Sequence, residues 1–279
     1  MIPTPVDLYY DPEHPSVRIL NISDAHLGAA DFARKDLREC LCDNMADPNT
    51  YLLTNGDMMD CITVRDKRFE MGGIAKEYLS MRPDEILDLQ VEDITSELEP
   101  YKDRIIGLGM GNHERKIVTE FSTNAHRRVC NNLGVKNLGY SSILTLNLRP
   151  RGVKGAHARE FSILQHHGFG GSTRTEGGAL STFCQYTNYF NVRAAFFGHK
   201  HDFVYKRFPR LDVQNGGTRL HHRDIIVALT GSFLKTFNHE DMPNYAEVAG
   251  YRPTILQGGW VLKLIALPDG EIKTRMAEA

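Results

Sequence analysis

Short apolar runs recur along the chain, and the first three stop at polar, chemically able residues: 17–22 before Ser23 and Asp24, 51–53 before Gly56 and Asp57, and 104–108 before Gly111 and Asn112. Runs this short, bounded by turn residues, predict buried strands, here with functional groups at their C-terminal ends. Between them, residues 35–45 and 83–98 have helical spacing. In the second, Ile86, Leu87, Leu89, Ile94 and Leu98 are apolar and Pro83 suits a first helical turn. This alternation predicts an α/β fold. A helix over 115–133 follows, and then the pattern turns strand-rich: 142–148, 161–165, 194–197, 203–205, 225–230 and 260–266, interrupted by one helix over about 178–190. The Gly- and Arg-containing stretch 150–158 reads as a hairpin loop. With no repeat or linker in the pattern, residues 1–279 are expected to form a single domain.

A hydrophobic share of 41% with 24% charged residues fits a folded globular chain and excludes a disordered one. The net charge of -2 argues against a uniformly basic nucleic-acid binder. One local stretch differs: Lys206, Arg207, Arg210, Arg219 and Arg223, with Tyr205 and Phe208 interleaved, is a pattern that can serve a nucleic-acid backbone and stacked bases, although a solvated hairpin face is the commoner explanation. The five cysteines show no C-x-x-C spacing, so reduced thiols in a cytoplasm are the simpler reading. Cys40 and Cys42 lie about 200° apart around a helix and read as ordinary helix residues. Neither a leader nor an apolar stretch near the roughly 18 residues a membrane span needs is present, so neither export nor membrane insertion is expected.

The chemistry sits in five pieces: Asp24-Ala25-His26, Gly56-Asp57-Met58-Met59-Asp60, Gly111-Asn112-His113-Glu114, His166-His167-Gly168 and Gly198-His199-Lys200-His201. Each is weak alone, since a single His on an apolar strand is usually a structural residue. Together they supply imidazoles, carboxylates and an amide carbonyl, the nitrogen and oxygen donors that suit manganese, iron or zinc rather than thiolate-loving metals. Asp24/His26 and His199/His201 are i, i+2 pairs, which on extended chain point the same way.

In this order the pieces spell D-x-H, G-D-x-x-D, G-N-H-E, H and G-H-x-H, a signature that resembles the calcineurin-like metallophosphoesterase superfamily and spans residues 24–201. The resemblance implies a four-layer α/β sandwich, two mixed β-sheets flanked by helices. It also implies two divalent metal ions, with manganese expected first and iron, zinc, nickel or magnesium as the other candidates. Carried over residue by residue, Asp24, His26, Asp57 and His201 resemble the ligands of one ion, and Asp57, Asn112, His167 and His199 those of the other, with Asp57 bridging. The family needs one His at the end of the fourth strand, and His167, next to Gly168, is preferred to His166. His113 would face the phosphate and stabilise the transition state or protonate the leaving oxygen. Asp60 and Glu114 would orient ligands. Such a pair of cations, roughly 3.5–4 Å apart, lowers the pKa of a bridging water and clamps the attacking and leaving oxygens.

Ser/Thr protein phosphatases of the superfamily continue the second piece as D-R-G, whereas Cys61 and Ile62 follow Asp60 here. The fifth piece is similar to that of phosphodiesterases and repair nucleases, so phosphodiester hydrolysis in a nucleotide or nucleic acid leads. A phosphomonoesterase acting on a small metabolite is the nearest competitor, and a non-catalytic metal-binding regulator belongs to a different class. In the Gly- and Ser-rich loop 168–178, Arg174 is a candidate phosphate contact. Residues 232–259 are a candidate lid or partner surface. His221 and His222 read as surface-strand residues.

Overall fold

The computed structural model describes residues 1–63, 66, 69, 71–171, 175, 177–214, 217–237, 247 and 258–279. In chain order its elements are β1 (Ile2–Tyr10), β2 (Ser16–Ile22), α1 (Arg34–Met45), β3 (Thr50–Thr54), α2 (Pro83–Leu98), β4 (Ile105–Gly109), α3 (Asn112–Phe121), α4 (Ala125–Leu133), β5 (Asn137–Gly139), β6 (Ser141–Pro150), β7 (Arg159–His166), α5 (Gly178–Thr187), β8 (Ala194–Phe197), β9 (Phe203–Gln214), β10 (Arg219–Thr230), β11 (Trp260–Ala266) and β12 (Ile272–Glu278).

The strands form two mixed six-stranded sheets, ordered β1-β6-β7-β8-β10-β9 and β12-β11-β2-β3-β4-β5. Adjacent residues of one strand enter different cores, because side chains alternate across a sheet. Ile19 of β2, Leu53 of β3 and Leu262 of β11 meet Leu146, Phe161, Ile163 and Phe196 between the sheets. Their neighbours Leu20 and Leu52 turn outward under Leu37 and Leu41 of α1 and Val91 and Ile94 of α2. On the far side, Phe197 and Val227 lie under α5, where Phe183 stacks on Phe197 at 4.2 Å. The result is four layers: helices, sheet, sheet, helix. Burial on both faces is why these strands read as continuous apolar runs.

The structure corrects several boundaries. The helix expected over 115–133 is two helices. Ser122 takes a left-handed φ of 56° and ends α3, and the Asn124 side chain accepts the Arg127 N–H at 2.8 Å and starts α4. β1 was not expected, because Pro3 and Pro5 argue against a strand; as an edge strand, parallel to β6, it tolerates them. β12 buries only its first residue, Ile272, and so left little apolar signal. β9 and β10 pair along their whole length, yet β10 meets β8 only from Ile226 to Leu229, so the rest of the hairpin is a two-stranded ribbon.

All five cysteines are free, with Cys40 buried and Cys42 exposed on opposite sides of α1. Among the described residues no helix is long and apolar enough to cross a membrane. Since Phe196 is fully buried between the sheets, Phe196→Ala should lower unfolding free energy in urea titrations by about 3–5 kcal/mol. Tyr189, 83% exposed, should change it by less than about 0.5 kcal/mol when replaced by alanine.

Candidate metal centre

β2, β3 and β4 run parallel, as do β7 and β8. The five motif pieces lie immediately beyond the C-terminal ends of these strands, where open α/β sheets present their sites. Seven described non-glycine residues have positive φ, and five of them are Asp24, His26, Asp57, His199 and His201, at 50–71°. Each such conformation costs about 1–3 kcal/mol and persists only where its surroundings over-determine it. Here they do. Asp24 N–H donates to the Gly56 carbonyl at 3.0 Å, His26 N–H to that of Asp57 at 3.0 Å, and the Asp24 carbonyl accepts from Phe233 N–H at 3.0 Å and Ser232 Oγ at 2.8 Å.

Three donor sets result. Asp24, His26 and His201 each bring a ligand atom within 4.8 Å of the others, as do Asp57, His167 and His199, and a third set, His26, Asp60 and His113, shares His26 with the first. In the first, His26 Nε2 and His201 Nε2 stand 3.4 Å apart, with Asp24 Oδ1 at 3.4 Å from His201 Nε2. In the second, His167 Nε2 lies 3.1 Å from Asp57 Oδ2 and 2.8 Å from Asn112 Oδ1. Facing imidazole nitrogens and carboxylate oxygens have more lone pairs than shared hydrogens can satisfy. Nitrogen and oxygen donors arranged in this way fit divalent cations of the manganese, iron and zinc kind.

A surrounding layer fixes these donors. Glu114 is wholly buried, and its carboxylate accepts backbone N–H groups from Asp57 at 3.0 Å, Met58 at 2.8 Å, Met59 at 3.2 Å and Gly111 at 2.8 Å. It shapes the turn that carries Asp57 rather than touching a donor side chain. Asp57 Oδ1 in turn accepts His113 N–H at 2.9 Å. Gly111 permits this approach, since a Cβ there would sit 2.0 Å from Asp57 Oδ1. His113 Nδ1 lies 2.5 Å from the Asp60 carbonyl and therefore donates to it, leaving Nε2 as the other reactive nitrogen. Asp60 Oδ1 sits 3.6 Å from His26 Nδ1 and 3.7 Å from His113 Nδ1, an electrostatic neighbour to both.

Burial opposes ionisation of Asp24 and Asp57, but the histidines around them, His201 for Asp24 and His167 for Asp57, outweigh it and hold both below the usual carboxylate range. Burial likewise disfavours a charged His167, yet the Asp57 carboxylate lifts it to about 9. Burial and the Asp57 charge raise Glu114 to about 7.

The structure thus brings together Asp24, His26, Asp57, Asn112, His167, His199 and His201, with His113, Asp60 and Glu114 beside them. His166 points elsewhere, into Tyr140, Phe169, Tyr186 and Phe197, and its Nδ1 accepts Gly168 N–H at 2.8 Å. Burial, first, and then His167 push it down to about 4. Arg174 lies outside the described residues, as does most of 232–259. His221 is far from the centre, 3.8 Å from Glu271. The basic stretch follows the β9–β10 ribbon, where Arg207 pairs with Asp224 and Arg223 with Asp212. Only the Thr230 end of that ribbon reaches the centre, with Thr230 Oγ1 2.5 Å from Ser23 Oγ.

Three supports lie outside the five pieces. The Asn55 carbonyl accepts from His167 Nδ1 at 2.9 Å, Ser23 hydrogen-bonds Asp24, and the Tyr140 hydroxyl donates to the Gly168 carbonyl at 3.0 Å. Asn55 and Ser23 directly precede motif residues, the one signal that could have found them. Tyr140 had none.

No protein-family model matches the chain, and no curated protein matches it. Among solved structures it is similar to the calcineurin-like phosphoesterase YfkN from Bacillus subtilis, at 13% identity over 95% of this chain and 90% of that one, with a TM-score of 0.42. It is also similar to vacuolar protein sorting 29 from Cryptosporidium parvum, at 15% identity over 95% and 98% with a TM-score of 0.40. A metallophosphoesterase from Sphaerobacter thermophilus matches at 14% identity over 94% and 88%, with a TM-score of 0.37.

An imidazole titrating at about 9 carries a proton at neutral pH and must lose it before Nε2 can ligate. Calorimetric Mn(II) titration in two buffers of different ionisation enthalpy should therefore show proton release at pH 7. Affinity should rise with pH up to about 9 and fall roughly tenfold per unit below it. Glu114→Gln turns an acceptor into a donor facing backbone N–H groups and should cost about 2–3 kcal/mol in urea unfolding.

Proposed function

We propose that this chain is a dinuclear metal-dependent phosphoesterase that hydrolyses phosphodiester bonds in a nucleotide or nucleic acid. The observation that carries the reading is the convergence of six acidic and imidazole donors from four strand ends into two adjacent sets, Asp24/His26/His201 and Asp57/His167/His199. In this reading Asn112 completes the second set and Asp57 is shared between the two. Two divalent cations, manganese first among the candidates, would supply an activated water and positive charge against the phosphate.

The protein's own groups do the rest. Asp24 and Asp57, held ionised by neighbouring histidines, keep negative charge where cations are needed. His113, fixed through Nδ1–H by the Asp60 carbonyl, presents Nε2, which in the imidazolium form carries the proton that would go to the leaving oxygen or be donated to a phosphate oxygen. Asp60 and Glu114 orient the donors, Glu114 through the backbone. A nucleotide-sized substrate fits better than a long polymer. The ribbon arginines run away from the centre, and Arg219 lies 11 residues along β10 from Thr230, about 36 Å at 3.3 Å per residue.

The test uses chelator-stripped protein with activated phosphodiester and phosphomonoester substrates, before and after adding back manganese, iron, zinc, nickel or magnesium singly. Metal-restored diester cleavage is expected. Cleavage of monoesters alone would assign a phosphomonoesterase, and metal binding without turnover a regulatory protein. His113→Ala should lower kcat about 10²–10⁴-fold with metal content unchanged. Asp57→Ala should abolish both activity and metal retention.

A further inference from the structure

Lys200 stands between two of the donors, and its ammonium donates to the Gly170 carbonyl at 2.6 Å and to the Gly171 carbonyl. His199 Nε2 lies 3.0 Å from the same Gly170 oxygen. A carbonyl only accepts, so Nε2 must carry the hydrogen, and Nδ1 is left with the lone pair that can ligate. The position of one backbone oxygen therefore decides which nitrogen of His199 is available to the set it forms with Asp57 and His167.

What places that oxygen is a short glycine-rich segment. Both backbone polar groups of Gly168 are held, its N–H donating to His166 Nδ1 and its carbonyl accepting from the Tyr140 hydroxyl. Phe169 packs on Phe183 and Tyr186 with ring centroids 5.1 and 5.0 Å away. Gly170, at φ 83°, has no side chain to anchor it. Lys200 is the cation that reaches over and holds both Gly170 and Gly171.

We propose that Lys200 is a positioning residue: by drawing the Gly170 carbonyl against His199, it locks the Nε2–H tautomer and presents Nδ1 for ligation. The metal half of this inference rests on the dinuclear reading above; the tautomer half does not. A solvated surface lysine would leave the tautomer and the metal affinity untouched.

The experiment compares wild type, Lys200→Met and Lys200→Arg, each stripped with chelator. Long-range ¹H–¹⁵N imidazole spectra at pH 8, with His199→Gln to assign the resonances, read the tautomer without any metal. Mn(II) titration then reads the two affinities separately. Wild type should show His199 as Nε2–H, and Lys200→Met a mixture containing the Nδ1–H form. Lys200→Met should lose about 10–100-fold in affinity for one ion only, and Lys200→Arg, which keeps the donors, should stay within about threefold of wild type. An unchanged tautomer in Lys200→Met overturns the proposal, as does equal weakening of both ions or a failure of arginine to rescue. Wild type that binds fewer than two ions would instead overturn the dinuclear reading, and the tautomer comparison would still decide the role of Lys200.

Discussion

The centre hangs from one buried carboxylate. Four backbone N–H groups, three from the turn after β3 and one from the start of α3, converge on Glu114. That contact welds the Gly56–Asp57 turn to the Asn112–His113 turn, and Asp57 then accepts the N–H of His113 to close the junction. That junction over-determines the left-handed backbone at Asp57, φ 50°, a conformation that costs a non-glycine residue about 1–3 kcal/mol.

The same economy recurs on the other side. Asp24, also in a left-handed conformation, is pinned by the Gly56 carbonyl, by Ser232 and Phe233 beyond β10, and by the His199 N–H, which donates to its carboxylate at 2.9 Å. The two sheets are thus connected at their functional ends by hydrogen bonds and along their length by the apolar layer of Ile19, Phe161 and Phe196. Packing fixes the distance between strand ends, and the hydrogen bonds turn that distance into donor geometry. A change in the sandwich core is therefore felt at the centre through register rather than contact.

Electrostatics and burial act against each other here. Carboxylates wholly removed from water would ordinarily be driven neutral, and imidazoles likewise. Brought together, each supplies the counter-charge the other needs, so Asp24 and Asp57 stay acidic while His167 becomes basic. His166, one residue away but facing aromatic rings, shows the opposite outcome and is held neutral. Adjacent residues of one strand end diverge in chemistry because the pleat sends them to different surroundings.

The sequence by itself determined the α/β class, most of the strands and the residue types of the centre. Double burial makes strands such as β2 and β8 read as unbroken apolar runs, and chemical side chains concentrate just past strand ends. It did not determine β1, whose prolines are tolerated only at a sheet edge, or the break after Phe121, which depends on Ser122 and Asn124 in combination. The preference for His167 over His166 rested on a neighbouring glycine in the sequence; in the structure His167 lies beside Asp57 and Asn112, whereas His166 faces aromatic rings. The basic residues of β9 and β10, for which a solvated hairpin face was the commoner reading and a nucleic-acid patch the other, lie along a ribbon that leaves the centre. Only tertiary structure could decide these points, because each depends on which distant segment a side chain meets, and composition and spacing along the chain carry no record of that.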